Sequence, residues 1–183
     1  TNYDFTELTQ FDDLEVLRNL SKAISSGISK KEYVLHLNNT SRDHARTSMQ
    51  WNSGPQAGFS SYDNNWFLSN PNSSFINVKN NLIDRNSVFY FYKKLIEIRK
   101  NSKDLIYGDY FDLDPNHQNV FIYKRVGINL TYLIILNMSN SSLTYNFNNL
   151  TEYSLEFSNK RENPNISSNY IELLAWDALM FKK

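Results

Sequence analysis

Cysteine is absent from all 183 residues. Its absence excludes disulfides, thiolate catalysis and cysteine-built zinc sites, and it fits a reducing cytoplasm, the location expected for this chain. An excess of charge of one sign is lacking too: 19 Lys and Arg balance 19 Asp and Glu. A neutral chain carries no electrostatic footprint for DNA, RNA or an anionic membrane. Long hydrophobic runs are missing as well. Runs such as Tyr132 to Leu136 are far too short to cross a bilayer, and no signal-peptide pattern opens the chain. Neither nucleic acid nor membrane is therefore expected as a partner. No Gly-rich phosphate loop and no metal-ligand spacing occurs, so no metal or cofactor is expected. No internal repeat is apparent.

What remains is 40% hydrophobic and 15% aromatic, and the length allows one domain or one and a half. Asn and Ser are frequent. The N-x-[ST] triplets at Asn72-Ser73-Ser74 and Asn129-Leu130-Thr131 read as consequences of that bias rather than as glycosylation sites.

The chain divides into three parts. In residues 1–40, Leu14, Leu17, Leu20 and Ile24 recur at helical spacing, and Ile28, Val34 and Leu35 continue an apolar stripe after Gly27. Residues 41–85 are polar, with Pro55 and Pro71, yet they hold Trp51, Phe59, Tyr62, Trp66, Phe67 and Phe75. Such aromatic content predicts an ordered loop rather than a flexible linker. A helix is expected from about Ser87 to Lys100, capped by Asn86 or Ser87, with Val88, Phe91, Tyr92 and Leu95 on one face. Beyond Leu105 the period shortens. Apolar runs at 105–113, 118–126, 130–138, 142–148, 151–158, 169–174 and 178–182 are separated by turn residues, which predicts an antiparallel sandwich. Leu133-Ile134-Ile135-Leu136 is apolar on both faces and reads as a central strand.

The densest chemistry lies in Ser41-Arg42-Asp43-His44-Ala45-Arg46-Thr47-Ser48-Met49-Gln50-Trp51. Arg42 and Arg46 stand four apart, so on a helical turn their forks would point the same way. A guanidinium offers fixed donors that match carboxylates or vicinal hydroxyls two at a time, and an aromatic face suits the apolar side of a sugar ring. By chemistry alone the segment is either a polyol or anion site, or an ion-pair clamp that pins a loop.

Arg42 to Trp51 resembles the RD-x-AR-TPMQW segment of the α-amylase-type glycoside hydrolases, in particular the bacterial group of oligo-1,6-glucosidases, glucan-1,6-α-glucosidases and trehalose-6-phosphate hydrolases. The likeness continues in order through Ala57-Gly58-Phe59-Ser60, Trp66 with Asn70-Pro71-Asn72, Ile76-Asn77-Val78, the 87–100 segment, Tyr107-Gly108 and Leu174-Ala175-Trp176-Asp177-Ala178. Ser48 departs from the family's proline, and Leu173-Leu174-Ala175-Trp176-Asp177 is closer to the form seen in glucan-1,6-glucosidases.

The resemblance implies an α+β architecture: the tail of a (β/α)8 barrel over 1–103, with the long last loop and last helix, then a C-terminal antiparallel β-sandwich domain over 104–183. Thr1 would fall just after the eighth barrel strand. The resemblance further implies a retaining, exo-acting α-glucosidase acting on α-glucan or isomalto-oligosaccharide. A retaining mechanism needs two carboxyls about 5–5.5 Å apart, and in the family these lie on earlier strands. No nucleophile or acid/base is therefore expected in this chain, which alone should be inactive, and the missing catalytic barrel is its expected partner. Arg42 maps to the family's substrate-binding arginine, at the subsite for the terminal glucose. Asp43, His44, Arg46 and Trp51 are expected to line the pocket or supply ion-pair support. The alternatives are a trehalose-6-phosphate hydrolase fragment and a non-catalytic sugar-binding or scaffolding module. The intact Arg42–Arg46 motif disfavours a non-enzymatic relative of the amino-acid-transporter heavy-chain kind.

Overall fold

In the computed structural model, residues 2–63, 66–160 and 163–183 are described; Thr1 and its expected place after a barrel strand lie outside them. The chain forms two compact units, Thr1–Tyr90 and Phe91–Lys183.

The first unit is helical and loop-rich. Helices α1 (Leu14–Ser25) and α2 (Lys30–Thr40) are followed by short 3-10 turns and by α3 (Val78–Ile83). Each start has a local cause. The Asp13 side chain accepts from the Glu15 amide to cap α1, and Ser29 with Glu32 forms a reciprocal capping box on α2. The core gathers Phe5, Phe11, Val16, Tyr33, Val34, Leu37 and Phe67. The Tyr33 hydroxyl, which needs a partner once buried, donates to the Val16 carbonyl at 3.1 Å. The expected apolar stripe is only partly the one used. Val16, Leu20 and Ala23, spaced i, i+4, i+7, pack on the core, whereas Leu14, Leu17 and Ile24 are exposed. Two apolar arcs run along α1, and periodicity cannot say which of them faces inward.

Asparagine side chains organise the loop. Asn70 Oδ1 accepts from the Asn72 amide while its Nδ2 donates to the Asn2 carbonyl. Asn77 Oδ1 accepts from the Asn80 amide to start α3. The abundance of Asn thus has a structural use, because a short amide can replace a backbone partner in a turn.

A helix α4 (Val88–Asn101), whose first three residues belong to the first unit, leads in the second unit into α5 (Lys103–Tyr107) and, among the described residues, seven strands. These are β1 (Asp109–Asp112), β2 (Val120–Val126), β3 (Thr131–Asn137), β4 (Leu143–Asn146), β5 (Ser154–Ser158), β6 (Tyr170–Leu173) and β7 (Ala178–Lys182). Five form an antiparallel sheet in the order β1-β2-β3-β7-β5, and β4 pairs with β6. Each expected apolar run contains one strand. In 105–113 the strand is confined to β1, because Ser102 Oγ accepts from the Leu105 amide and starts a helical turn that Gly108 ends.

The five-stranded sheet is apolar on both faces. One face places Val120, Ile122, Leu133, Ile135, Leu179 and Phe181 against Ile171 and Leu173 of β6. The other places Tyr132 and Ile134 with Leu105, flanked by Ile98 and Met180. β3 is thus central, as its sequence implies. The β2–β3 turn is pinned by the buried Asp104, whose carboxylate accepts from the amides of Ile128, Asn129 and Leu130 at 3.0–3.4 Å.

Candidate functional site

Ser41 ends α2 and caps a 3-10 turn over Arg42–Ala45, its Oγ accepting from the Asp43 amide. In this tighter turn the two arginines do not share a target. Arg42 is held by Asp13, 29 residues upstream: Nε donates to Oδ2 at 2.9 Å and Nη2 to Oδ1 at 2.8 Å. This is the two-point geometry that makes arginine–carboxylate pairs specific. The Asp13 side chain is 4% exposed and that of Arg42 is 62% exposed. Among the described residues no acceptor meets Arg42 Nη1. Hydrogen bonds from Arg42, with the Glu15 amide, hold the Asp13 carboxyl well below the usual carboxylate range against the opposing effect of desolvation. The same bond raises the pKa of Arg42.

Asp43 is fully buried. Its Oδ2 accepts from the amides of Asp12 and Asp13 at 2.9 and 3.1 Å, and Oδ1 lies 3.1 Å from Arg46 Nη1. Arg46 therefore compensates the charge of Asp43, and Asp43 fixes the backbone from which Asp13 grips Arg42. His44 packs its ring 5.2 Å from that of Phe5. Among the described residues, both its nitrogens are buried with no hydrogen-bond partner.

Gln50 and Trp51 are strapped by their backbones. The Trp51 amide donates to Ala57 at 2.8 Å, and the Gln50 and Trp51 carbonyls accept from Val78 and Lys79 of α3. The 54–58 turn that receives Trp51 needs left-handed backbone at Gln56, Ala57 and Gly58. A Cβ on Gly58 would stand 2.3 Å from Asn52 Nδ2. The Trp51 ring itself is exposed.

Two residues beyond the motif join the site. Asp13 is not among the residues the sequence pointed to; the one signal for it is a cap-type residue just ahead of an apolar run. Asp12, its neighbour, accepts a hydrogen bond from Trp66 Nε1. Consecutive carboxylates at the start of α1 thus hold an exposed guanidinium and an indole that is 73% exposed.

Among the described residues no cluster of His, Asp and Glu could hold a metal ion, and no helix is long and apolar enough to cross a membrane. Residues 11–108 match the family model described as alpha amylase, catalytic domain. The chain is 37% identical over 145 residues to a glucan 1,6-alpha-glucosidase of Streptococcus dysgalactiae subsp. equisimilis, covering 79% of this chain and 27% of that protein. It is 32% identical to an oligo-1,6-glucosidase of Bacillus cereus, covering 100% of this chain and 33% of that one. Among solved structures, the trehalose-6-phosphate hydrolase of Bacillus licheniformis superposes with a TM-score of 0.89 at 26% identity, over all of this chain and 33% of that one. The chain thus spans a third or less of these relatives. The motif, the collinear landmarks and the shared fold lead to one assignment: the chain belongs to the alpha-amylase family.

Proposed function

We propose that the chain is the C-terminal portion of a retaining, exo-acting α-glucosidase that hydrolyses α-1,6 bonds of isomalto-oligosaccharides or dextran. In this reading residues 1–103 complete the catalytic barrel, residues 104–183 form its supporting β-domain, and the nucleophile and the acid/base belong to the rest of the barrel. The observation that carries the proposal is the hold of Asp13 on Arg42. A fork fixed at two atoms, exposed, and with Nη1 unspent can donate to a sugar hydroxyl without first being ordered. The exposed indole of Trp66 at the same helix end offers a face for the ring. A further sugar unit at the gripped hydroxyl would collide with the fork, which gives exo-action.

Two measurements test this. The pure chain releases no glucose from isomaltose; release would overturn the placement of the catalytic acids. In the complete enzyme, Arg42→Ala lowers kcat/KM for isomaltose by about 10- to 100-fold, the worth of a charge-assisted hydrogen bond. An unchanged kcat/KM with a lowered melting temperature would reduce Arg42 to a clamp. The likeness to trehalose-6-phosphate hydrolase supports a second reading, and the same assay with trehalose 6-phosphate decides between them. Saturable quenching of tryptophan fluorescence by isomaltose in the isolated chain would instead indicate a non-catalytic sugar-binding module.

A further inference from the structure

A concave site lies wholly within the second unit, on the face of the five-stranded sheet that carries α5. It is an open cavity of about 450 Å³, within the range that holds small organic ligands. One wall is a ladder of three rings. Tyr110 of β1 lies 5.3 Å from Tyr123 of β2, and Tyr123 lies 5.2 Å from Phe121. Ile134 contributes to the apolar floor, and Arg99 and Arg125 also line the space.

The two arginines have no structural account that exhausts them. Arg99 Nη1 donates to the Leu105 carbonyl and Arg125 Nη2 to the Ile106 carbonyl, at 2.8 and 2.9 Å. These bonds use one nitrogen of each fork and fix both forks in place. Neither has a carboxylate partner among the described residues, although the chain has equal numbers of acidic and basic groups. Among the described residues no acceptor meets the buried Arg125 Nε, an arrangement that costs free energy unless something else accepts. Burial raises the pKa of the Tyr123 hydroxyl, Tyr110 adds to that, and Arg125 and Arg99 oppose it. Both arginines line the same cavity as the ring ladder.

An anion with a ring body satisfies all of these features at once. Aromatic faces suit the C–H side of a pyranose. Guanidinium forks suit phosphoryl oxygens, and two of them oversupply charge for one carboxylate but match a dianion. We propose that this groove binds a sugar phosphate, with its ring on the Tyr110–Tyr123–Phe121 ladder and its phosphoryl group between Arg99 and Arg125. The site is independent of Arg42 and requires no catalytic acid.

Calorimetric titration of the chain with glucose 6-phosphate, inorganic phosphate and glucose tests the proposal. Glucose 6-phosphate gives saturable binding, and each of the other two binds at least about tenfold more weakly, because each keeps only half of the contacts. Arg99→Gln weakens glucose 6-phosphate binding about tenfold or more. Tyr110→Ala, on the edge strand, weakens it while leaving phosphate binding unchanged. Circular dichroism checks that both variants fold, and Arg125→Lys serves if Arg99→Gln does not. Three results would each overturn the proposal: no saturable heat at millimolar ligand, phosphate binding as tightly as the sugar phosphate, or unchanged affinity in a folded Arg99→Gln chain.

Discussion

Asp43 is the residue on which the Arg42 site turns. It is fully buried, it accepts two backbone amides ahead of α1, and Arg46 compensates its charge. Asp43→Ala leaves those amides without their acceptor and the Arg46 guanidinium without its counter-charge. The expected loss is about 2–5 kcal/mol, read as a lower urea midpoint. Asp13 adds a pH dependence of known sign. Its folded pKa lies below the ordinary value of 3.8. Its contribution is therefore complete above the unfolded pKa and is lost as pH falls through the lower folded value. Stability measured between pH 5 and pH 2, spanning the ordinary value and the acid side of it, falls less steeply in Asp13→Asn than in the parent chain. The motif made Arg42, Asp43 and Arg46 visible in the sequence. Asp43 was readable as an ion-pair mate for one of the two arginines, but which one was not, because a helical turn and a 3-10 turn aim the forks differently and the partner of Arg42 lies 29 residues away.

Strands were the most legible elements, since turn residues bracket every apolar run and β3 advertises two buried faces. Less legible were α5, only five residues long, and the inward arc of α1. Both are decided by capping and tertiary packing rather than by period. One element depends on a single side chain. The β2–β3 turn rests its amides on the Asp104 carboxylate, and a Cβ on Gly127 would come within 2.2 Å of Asp104 Oδ1. Asp104→Ala is expected to cost about 2–4 kcal/mol through three orphaned amides. Gly127→Ala is expected to cost about 1–3 kcal/mol through overpacking. Hydrogen exchange at Ile128–Leu130 accelerates in both variants.

At the scale of the whole molecule, composition could not choose a fold; the collinear landmarks did that. What stayed hidden was the groove on the second unit. Its rings sit on two strands and its arginines on a helix and a strand, so no local spacing connects them before the sheet register pairs Tyr110 with Arg125. The α1 stripe was hidden for a related reason. Leu14, Leu17 and Ile24 are as apolar as the arc that packs on the core, and the one-dimensional pattern treats both alike.

The hold on Arg42 depends on the opening turn of a helix that is twelve residues long. Helix ends loosen ahead of the domains that carry them. Warming should therefore release the guanidinium while both cores are still intact, so that this contact fails at a temperature below the melting point of the fold.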